Sequence, residues 1–198
     1  MTQLPLPVST RQQIRQQIRL RRKSLTPQQQ LHAAQHAATR MMAFAPVLEA
    51  HTVAVFLSFD GELDTRPLIE GLWHAGKQVY LPVIHPFSPG HLLFLRYFPD
   101  SALVLNQFKI HEPALDVRHV LPLSKLDVLI TPLVAFDSKG QRLGMGGGFY
   151  DRTLQNWHTH GLFPVGYAHD CQHVDTLPAE EWDIPLPAVI TPTTTWQW

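Results

Sequence analysis

Five of the eleven glycines in this 198-residue chain fall between Gly140 and Gly148, inside the run DSKGQRLGMGGGFYDRTL. A turn uses one or two glycines for positive φ, whereas three in succession after a strand let the backbone approach a ligand with its N–H groups exposed. Successive amides of this kind form an anion nest, and a helix starting near Tyr150 adds the positive end of its dipole, so phosphate is the natural guest. The competing reading is a flexible glycine-rich surface turn. Two standard phosphate motifs do not fit. No G-x-x-x-x-G-K-[ST] occurs, and Gly144-x-Gly146 is followed by Phe149 where a dinucleotide fingerprint needs its third glycine. Asp151 stands directly after the loop and is the best metal candidate in the chain, because phosphate-bound Mg²⁺ is typically held by one or two carboxylates. Helix capping or pairing with Arg152 would employ the same side chain.

A second cluster, HDCQH, offers His169, Cys171 and His173 as ligands. A structural zinc site needs a fourth ligand, and the chain has no second cysteine. A Cys-His nucleophile pair lacks any oxyanion-binding context. His158 and His160 lie in a polar segment and read as solvent-facing.

The elements that position the loop can be read from periodicity. Residues 1 to 9, with two prolines and no periodicity, read as a loose arm. Thr10 with Gln13, then Thr26 with Gln29 and Pro27, are two successive capping-box starts, which predicts an N-terminal helical hairpin. The first helix carries Ile14 and Ile18 on a narrow apolar stripe, and the second carries Leu31, Ala34, Ala38, Met41 and Ala45. From residue 52 short apolar runs alternate with turn residues and helical stretches, as expected around a mainly parallel sheet. The runs are TVAVFLS (52–58), QVYLPVI (78–84), LLFLRYF (92–98), LDVLITPLVAFD (126–137), LFPVGYA (162–168) and AVIT (188–191). A helix capped by Asp64 or Thr65 runs from Pro67 to Gly76, and another is expected over 150–158. The tail with Trp196 and Trp198 reads as packing or interface material.

Taken together, GQRLGMGGGFYDR, the RQQIR of the first helix, VFLSFDGELDT, FKIHEP and EEWDIP resemble the 5-formyltetrahydrofolate cyclo-ligase family in content and order, over roughly residues 11 to 191. The resemblance implies a three-layer α/β/α sandwich of the type shared with sugar-phosphate isomerases and CoA transferases. It also implies ATP and Mg²⁺ as cofactors and the conversion of 5-formyltetrahydrofolate to 5,10-methenyltetrahydrofolate. By the same carry-over, ATP is held by Arg11, Arg15, Arg142, Leu143, Gly144, Met145, Gly146, Gly147, Gly148, Phe149 and Tyr150. Leu57 and Glu62 contact the folate together with Met145 to Phe149, Asp151 and Asp183 hold Mg²⁺, and Arg142 and Asp151 form the catalytic apparatus. Guanidinium forks match phosphate oxygens, and a carboxylate suits the amide-like N–H and amino groups of a pterin. Phe149 stands where the family often has tyrosine, and the loop is uncharged. Neutralisation of phosphate therefore falls on Mg²⁺, Arg142 and the N-terminal arginines.

Composition bounds the rest. With 44% hydrophobic residues and sixteen basic against sixteen acidic side chains, one domain over 1–198 with no global field for nucleic acid or an anionic membrane is expected. Arg19, Arg21, Arg22 and Lys23 read as a solvated basic run. The lone cysteine and the lack of a long apolar run point to a soluble protein of a reducing compartment, expected to be cytoplasmic. A monomer acting on a small molecule is the accompanying expectation, although the sequence itself carries no signal for oligomeric state. The alternatives are a phosphotransferase for another small molecule and a folate- or nucleotide-binding module without turnover.

Overall fold

The computed structural model describes residues 10–198. The loose arm expected over residues 1–9 lies outside them. Among the described residues the helices are α1 (Arg11–Lys23), α2 (Pro27–Met42), α3 (Ala45–Glu49), α4 (Arg66–His74) and α5 (Phe149–Leu154). The strands are β1 (Thr52–Ala54), β2 (Gln78–Ile84), β3 (Leu92–Arg96), β4 (Leu103–Leu105), β5 (His111–Pro113), β6 (Val120–Leu121) and β7 (Val128–Thr131). They continue with β8 (Ala135–Asp137), β9 (Arg142–Leu143), β10 (Phe163–Tyr167), β11 (His173–Val174), β12 (Ala188–Ile190) and β13 (Thr195–Gln197). None of the helices is long and apolar enough to cross a membrane.

An eight-stranded sheet runs in the order β13-β12-β10-β7-β1-β2-β3-β6. Its middle strands β12, β10, β7, β1 and β2 are mutually parallel, and antiparallel strands finish both edges. Strand alternation divides the core in two. Val53, Val128, Ile130, Val165, Ala188 and Ile190 pack with α2, α3 and α4, while Ala54, Leu129 and Val189 face Phe136, Leu154 and Trp157 on the opposite side. The expected α/β architecture with a mainly parallel central sheet is therefore present.

Both capping boxes form, each with the threonine hydroxyl accepting from the glutamine N–H and the glutamine side chain accepting from the threonine N–H. The two helices then find different partners. Ile14 and Ile18 of α1 pack on Val134, Ala135 and Leu143 beside the small sheet β11-β8-β9, whereas α2 lies along α4. Leu31 and Ala45, expected on the inner stripe of α2, are exposed; the buried face is Ala34, Ala37, Ala38 and Met41. Arg22 corrects the reading of a solvated basic run, because it is wholly buried as the third member of the Ile14, Ile18, Arg22 stripe.

Three other boundaries differ from expectation. β1 stops at Ala54 because the chain leaves the ladder, and the Thr65 hydroxyl takes the carbonyl of Phe56 instead of a neighbouring strand. α5 ends at Leu154, and Asn156 with φ +59° starts a separate short turn over Trp157–His160. The C-terminal tail forms β13, pairing antiparallel with β12, while the Trp198 indole donates to Ser138 O at 2.6 Å.

Candidate active site

A cavity of about 650 Å³ opens beyond the carboxyl ends of β1, β2 and β7, lined there by Phe56, Leu57, Pro82, Ile84, Pro132 and Leu133. Parallel strands place ligand clefts at that edge because their connections depart from it. The glycine loop closes one wall. It leaves β9, whose Arg142 pairs across to Phe136 of β8, and enters α5 at Gly148. Gly146 and Gly148 adopt φ +102° and +67°, which only glycine takes readily. Gly147 has no such requirement; a Cβ there would stand 2.8 Å from the Phe149 ring. Arg152, considered as a partner for Asp151, instead staples the loop from outside, donating to Gly147 O at 2.5 Å and Gly90 O at 2.7 Å.

α1 brings two arginines to this wall. Arg15 Nε donates to Gly144 O at 2.8 Å, and the Arg11 guanidinium grips Asp183 through two nitrogens, one of them at 2.9 Å, and Pro178 O at 3.0 Å. Burial alone would raise the Asp183 carboxyl, but Arg11 and the Glu180 N–H outweigh it and hold it below its usual range. Arg142 is buried and donates to Asp151, while its Nε has no partner among the described residues. Arg11, Arg15, Arg142 and Asp151 line the cavity, with Asp151 turned to Arg142, while Asp183 lies outside the lining and is turned to Arg11.

The rest of the lining is mainly apolar, with Glu62 and Glu112 as its acids. Leu57, Phe59, Phe149 and Tyr150 belong to it, and Glu62 is 8% exposed with Oε2 accepting from Phe59 N at 3.2 Å. Burial pushes the Glu62 carboxyl up to about 7, opposed by the Phe59 N–H and by Arg22. Burial, together with the Glu62 charge, also raises the Tyr150 phenol above its usual value. A projecting hairpin of β4 and β5 adds a wall that periodicity did not reveal, although FKIHEP belonged to the resemblance. Phe108 meets Phe149 edge-on at 6.1 Å, and Glu112 Oε2 accepts from Ile84 N and Asn106 Nδ2, tying the hairpin to β2.

The HDCQH residues go separate ways. His169 is buried against the main chain of Gly61 and Glu62, while His173 stacks on Trp196 at 4.5 Å. Also missed by sequence reading were Arg22 and Asp60 beneath Glu62; the i, i+4 continuation from Ile14 and Ile18 to Arg22 was the available signal.

The residues fit a nucleoside triphosphate. The loop is a cradle in which a Cβ at Gly147 or Gly148 would collide with a neighbouring side chain, and Arg142 keeps an unpaired buried donor. Among the described residues no three His, Cys, Asp or Glu side chains cluster as a metal cage. Two separate aspartates suit a cation that arrives on phosphate and keeps several of its own waters.

Comparison with known proteins agrees with this geometry. Residues 7–192 match the model of the 5-formyltetrahydrofolate cyclo-ligase family. The chain is 74% identical over 181 residues to the 5-formyltetrahydrofolate cyclo-ligase of Escherichia coli (strain K12), covering 91% of this chain and 100% of that protein. The Haemophilus influenzae 5-formyltetrahydrofolate cyclo-ligase is 55% identical over 176 residues, with 89% and 94% covered. In fold, the chain resembles the NMR structure of Aquifex aeolicus 5,10-methenyltetrahydrofolate synthetase, with a TM-score of 0.81 at 24% identity over 94% of this chain and 92% of the other.

Proposed function

Because the chain belongs to the 5-formyltetrahydrofolate cyclo-ligase family, we propose that it converts 5-formyltetrahydrofolate to 5,10-methenyltetrahydrofolate at the expense of ATP, with Mg²⁺. The observation that carries the reading is the meeting of a glycine cradle, backed by Arg15, with an apolar cavity that ends in Glu62. The glycine cradle and Glu62 line one 650 Å³ space, which in this reading takes the phosphates at the loop and the pterin at Glu62.

The formyl group on N5 is an amide, so its oxygen leaves poorly and the weakly nucleophilic N10 cannot displace it unaided. ATP supplies the phosphoryl group that turns this oxygen into a leaving group, and Mg²⁺ offsets the charge of the phosphates. Arg11, Arg15, Arg142 and the amides from Leu143 to Tyr150 grip the phosphates, and Asp151 and Asp183 take the cation. Positioning and charge stabilisation are the protein's whole contribution to such transfers. Glu62 accepts from the pterin, Leu57 and the aromatic rings fix its plane, and the cavity holds N10 against the activated carbon. A unimolecular closure then replaces an encounter in solution. ADP is left when the formyl oxygen takes the phosphoryl group. After N10 attacks, N10 gives up its proton and phosphate departs from the closed ring, and no side-chain nucleophile is required.

In this reading it works as a monomeric cytoplasmic enzyme on a small molecule. Purified protein given ATP, Mg²⁺ and 5-formyltetrahydrofolate should develop the near-UV absorbance of methenyltetrahydrofolate, and should not without ATP. Phosphorylation of another small molecule, or binding of folate without turnover, would replace this reading.

A further inference from the structure

Glu62 is supported from beneath by α1. The turn from Phe59 to Glu62 carries Asp60 and Gly61 at φ +53° and +75°, and Gly61 sits so near α1 that a Cβ would stand 3.5 Å from Arg22. Arg22 has no exposed surface. Its guanidinium donates to Asp60 O at 3.1 Å and Asp60 Oδ2 at 3.3 Å, and Nη1 lies 3.9 Å from Glu62 Oε1. Nε and Nη1 have no hydrogen-bond partner among the described residues. Removing a guanidinium from water is costly unless carboxylates face it closely. Adjacent Arg21 and Lys23 remain exposed, so the helix had a solvated alternative for this charge.

We propose that Arg22 is a positioning residue of the folate site, fixing the Asp60–Glu62 turn and presenting the Glu62 carboxylate to the substrate. The proposal rests on the reading of Glu62 as a folate contact. The groups around Glu62 are few. Arg22 and Asp60 stand beside it, Tyr150 is near enough for its phenol to feel the Glu62 charge, and His169 lies against its main chain. Burial and the neighbouring Arg22 pull His169 down to about 4, so the imidazole is neutral near pH 7 and does not substitute for the guanidinium. Arg19 and Lys23 reach only Asp60, from the exposed side. Arg22 is thus the one cation within 4 Å of the Glu62 carboxylate among the described residues. It stands seven residues, about 10 Å of helix, beyond Arg15. One helix therefore braces the phosphate end through Arg15 and the pterin end through Arg22.

The test is a double-mutant cycle on the full chain, reading the dissociation constant of 5-formyltetrahydrofolate by calorimetry. Arg22→Met should weaken folate binding about tenfold or more and change ATP binding by less than about twofold, while in a Glu62→Gln background the same substitution should add nothing. The pH above which folate binds tightly should also rise in Arg22→Met, and this shift should vanish in the double variant. A merely structural arginine would weaken binding equally in both backgrounds, and that result overturns the proposal. If Glu62→Gln alone leaves folate affinity unchanged, the folate reading of Glu62 falls first and the role of Arg22 with it. Should Arg22→Met lose its cooperative melt, Arg22→Gln, which removes the charge but keeps a hydrogen-bonding side chain towards Asp60, carries the same cycle to the same decision.

Discussion

Arg11 and Asp183, 172 residues apart in sequence, are joined by both arms of one guanidinium. Arg142 and Asp151 form a second pair. Two of the three arginines proposed for phosphate are therefore satisfied by the two aspartates proposed for Mg²⁺. Either ligand alone must break these pairs, whereas both together exchange one set of opposite charges for another. ATP in excess chelator should bind at least about tenfold more weakly than ATP with Mg²⁺. Asp151→Asn should abolish that difference, and turnover, with an unchanged melt. Equal affinities with and without Mg²⁺ in the unsubstituted protein, measured by calorimetry, would show that the aspartates are not exchanged.

Gly148 should tolerate no side chain. Its φ of +67° disfavours any L residue, and a Cβ would stand 2.8 Å from the Arg152 guanidinium. Gly148→Ala is expected to reduce ATP affinity about tenfold or more while folate still binds, since left-handed strain of about 1–3 kcal/mol is relieved only by moving the loop. Gly147→Val should have a similar effect by a different route, through the Phe149 ring. Normal ATP affinity in both variants would restore the flexible-turn reading of the loop.

Two buried groups should give opposite pH dependences of stability. Burial raises Glu62 from 4.5 to about 7, so its contribution is full below pH 4.5 and lost as pH climbs through about 7. Burial lowers His169 from 6.5 to about 4, so its contribution is present above pH 6.5 and lost as pH falls through about 4. Each is on the order of 3 kcal/mol, and the two slopes nearly cancel in the shared window. Denaturant unfolding of Glu62→Gln should show stability rising between about pH 4 and 6.5, and of His169→Asn stability falling between about pH 4.5 and 7. Parallel profiles in the three proteins would contradict both assignments.

The order of bond changes is open to isotope tracing. If the formyl oxygen is phosphorylated before N10 attacks, it leaves on phosphorus. With substrate carrying ¹⁸O at the formyl group, the phosphate released should contain one labelled oxygen per methenyltetrahydrofolate formed. Unlabelled phosphate alongside stoichiometric product would mean that the oxygen departs as water and that phosphorylation is not the activating step. Replacing Arg15 or Arg142 by alanine should slow labelled-phosphate release and cyclisation together.

Local chemistry made much of the scaffold legible. The capping boxes at Thr10 and Thr26 form as read, because each involves residues only three apart. β2 occupies the whole of QVYLPVI, since an apolar run bounded by turn residues has few other burials open to it. The run TVAVFLS misled for the same reason: nothing within it says that the Thr65 hydroxyl will claim Phe56 O and turn the chain into the cavity. Arg22 was read as surface from composition, although its spacing from Ile14 and Ile18 already placed it on the buried stripe.

By itself the sequence determined the alternation of strands and helices, the glycine cradle and the identities of the charged groups, all of which depend on side-chain type and short-range periodicity. Only the tertiary structure decided which charges meet: Arg11 with Asp183, Arg142 with Asp151 rather than Arg152 with it, and Arg22 beneath Glu62. Such pairings are set by how α1 lies across the β11-β8-β9 sheet and the turn after β1. That docking is chosen by the burial of Ile14 and Ile18, an energy that is blind to which carboxylate the neighbouring arginines will find.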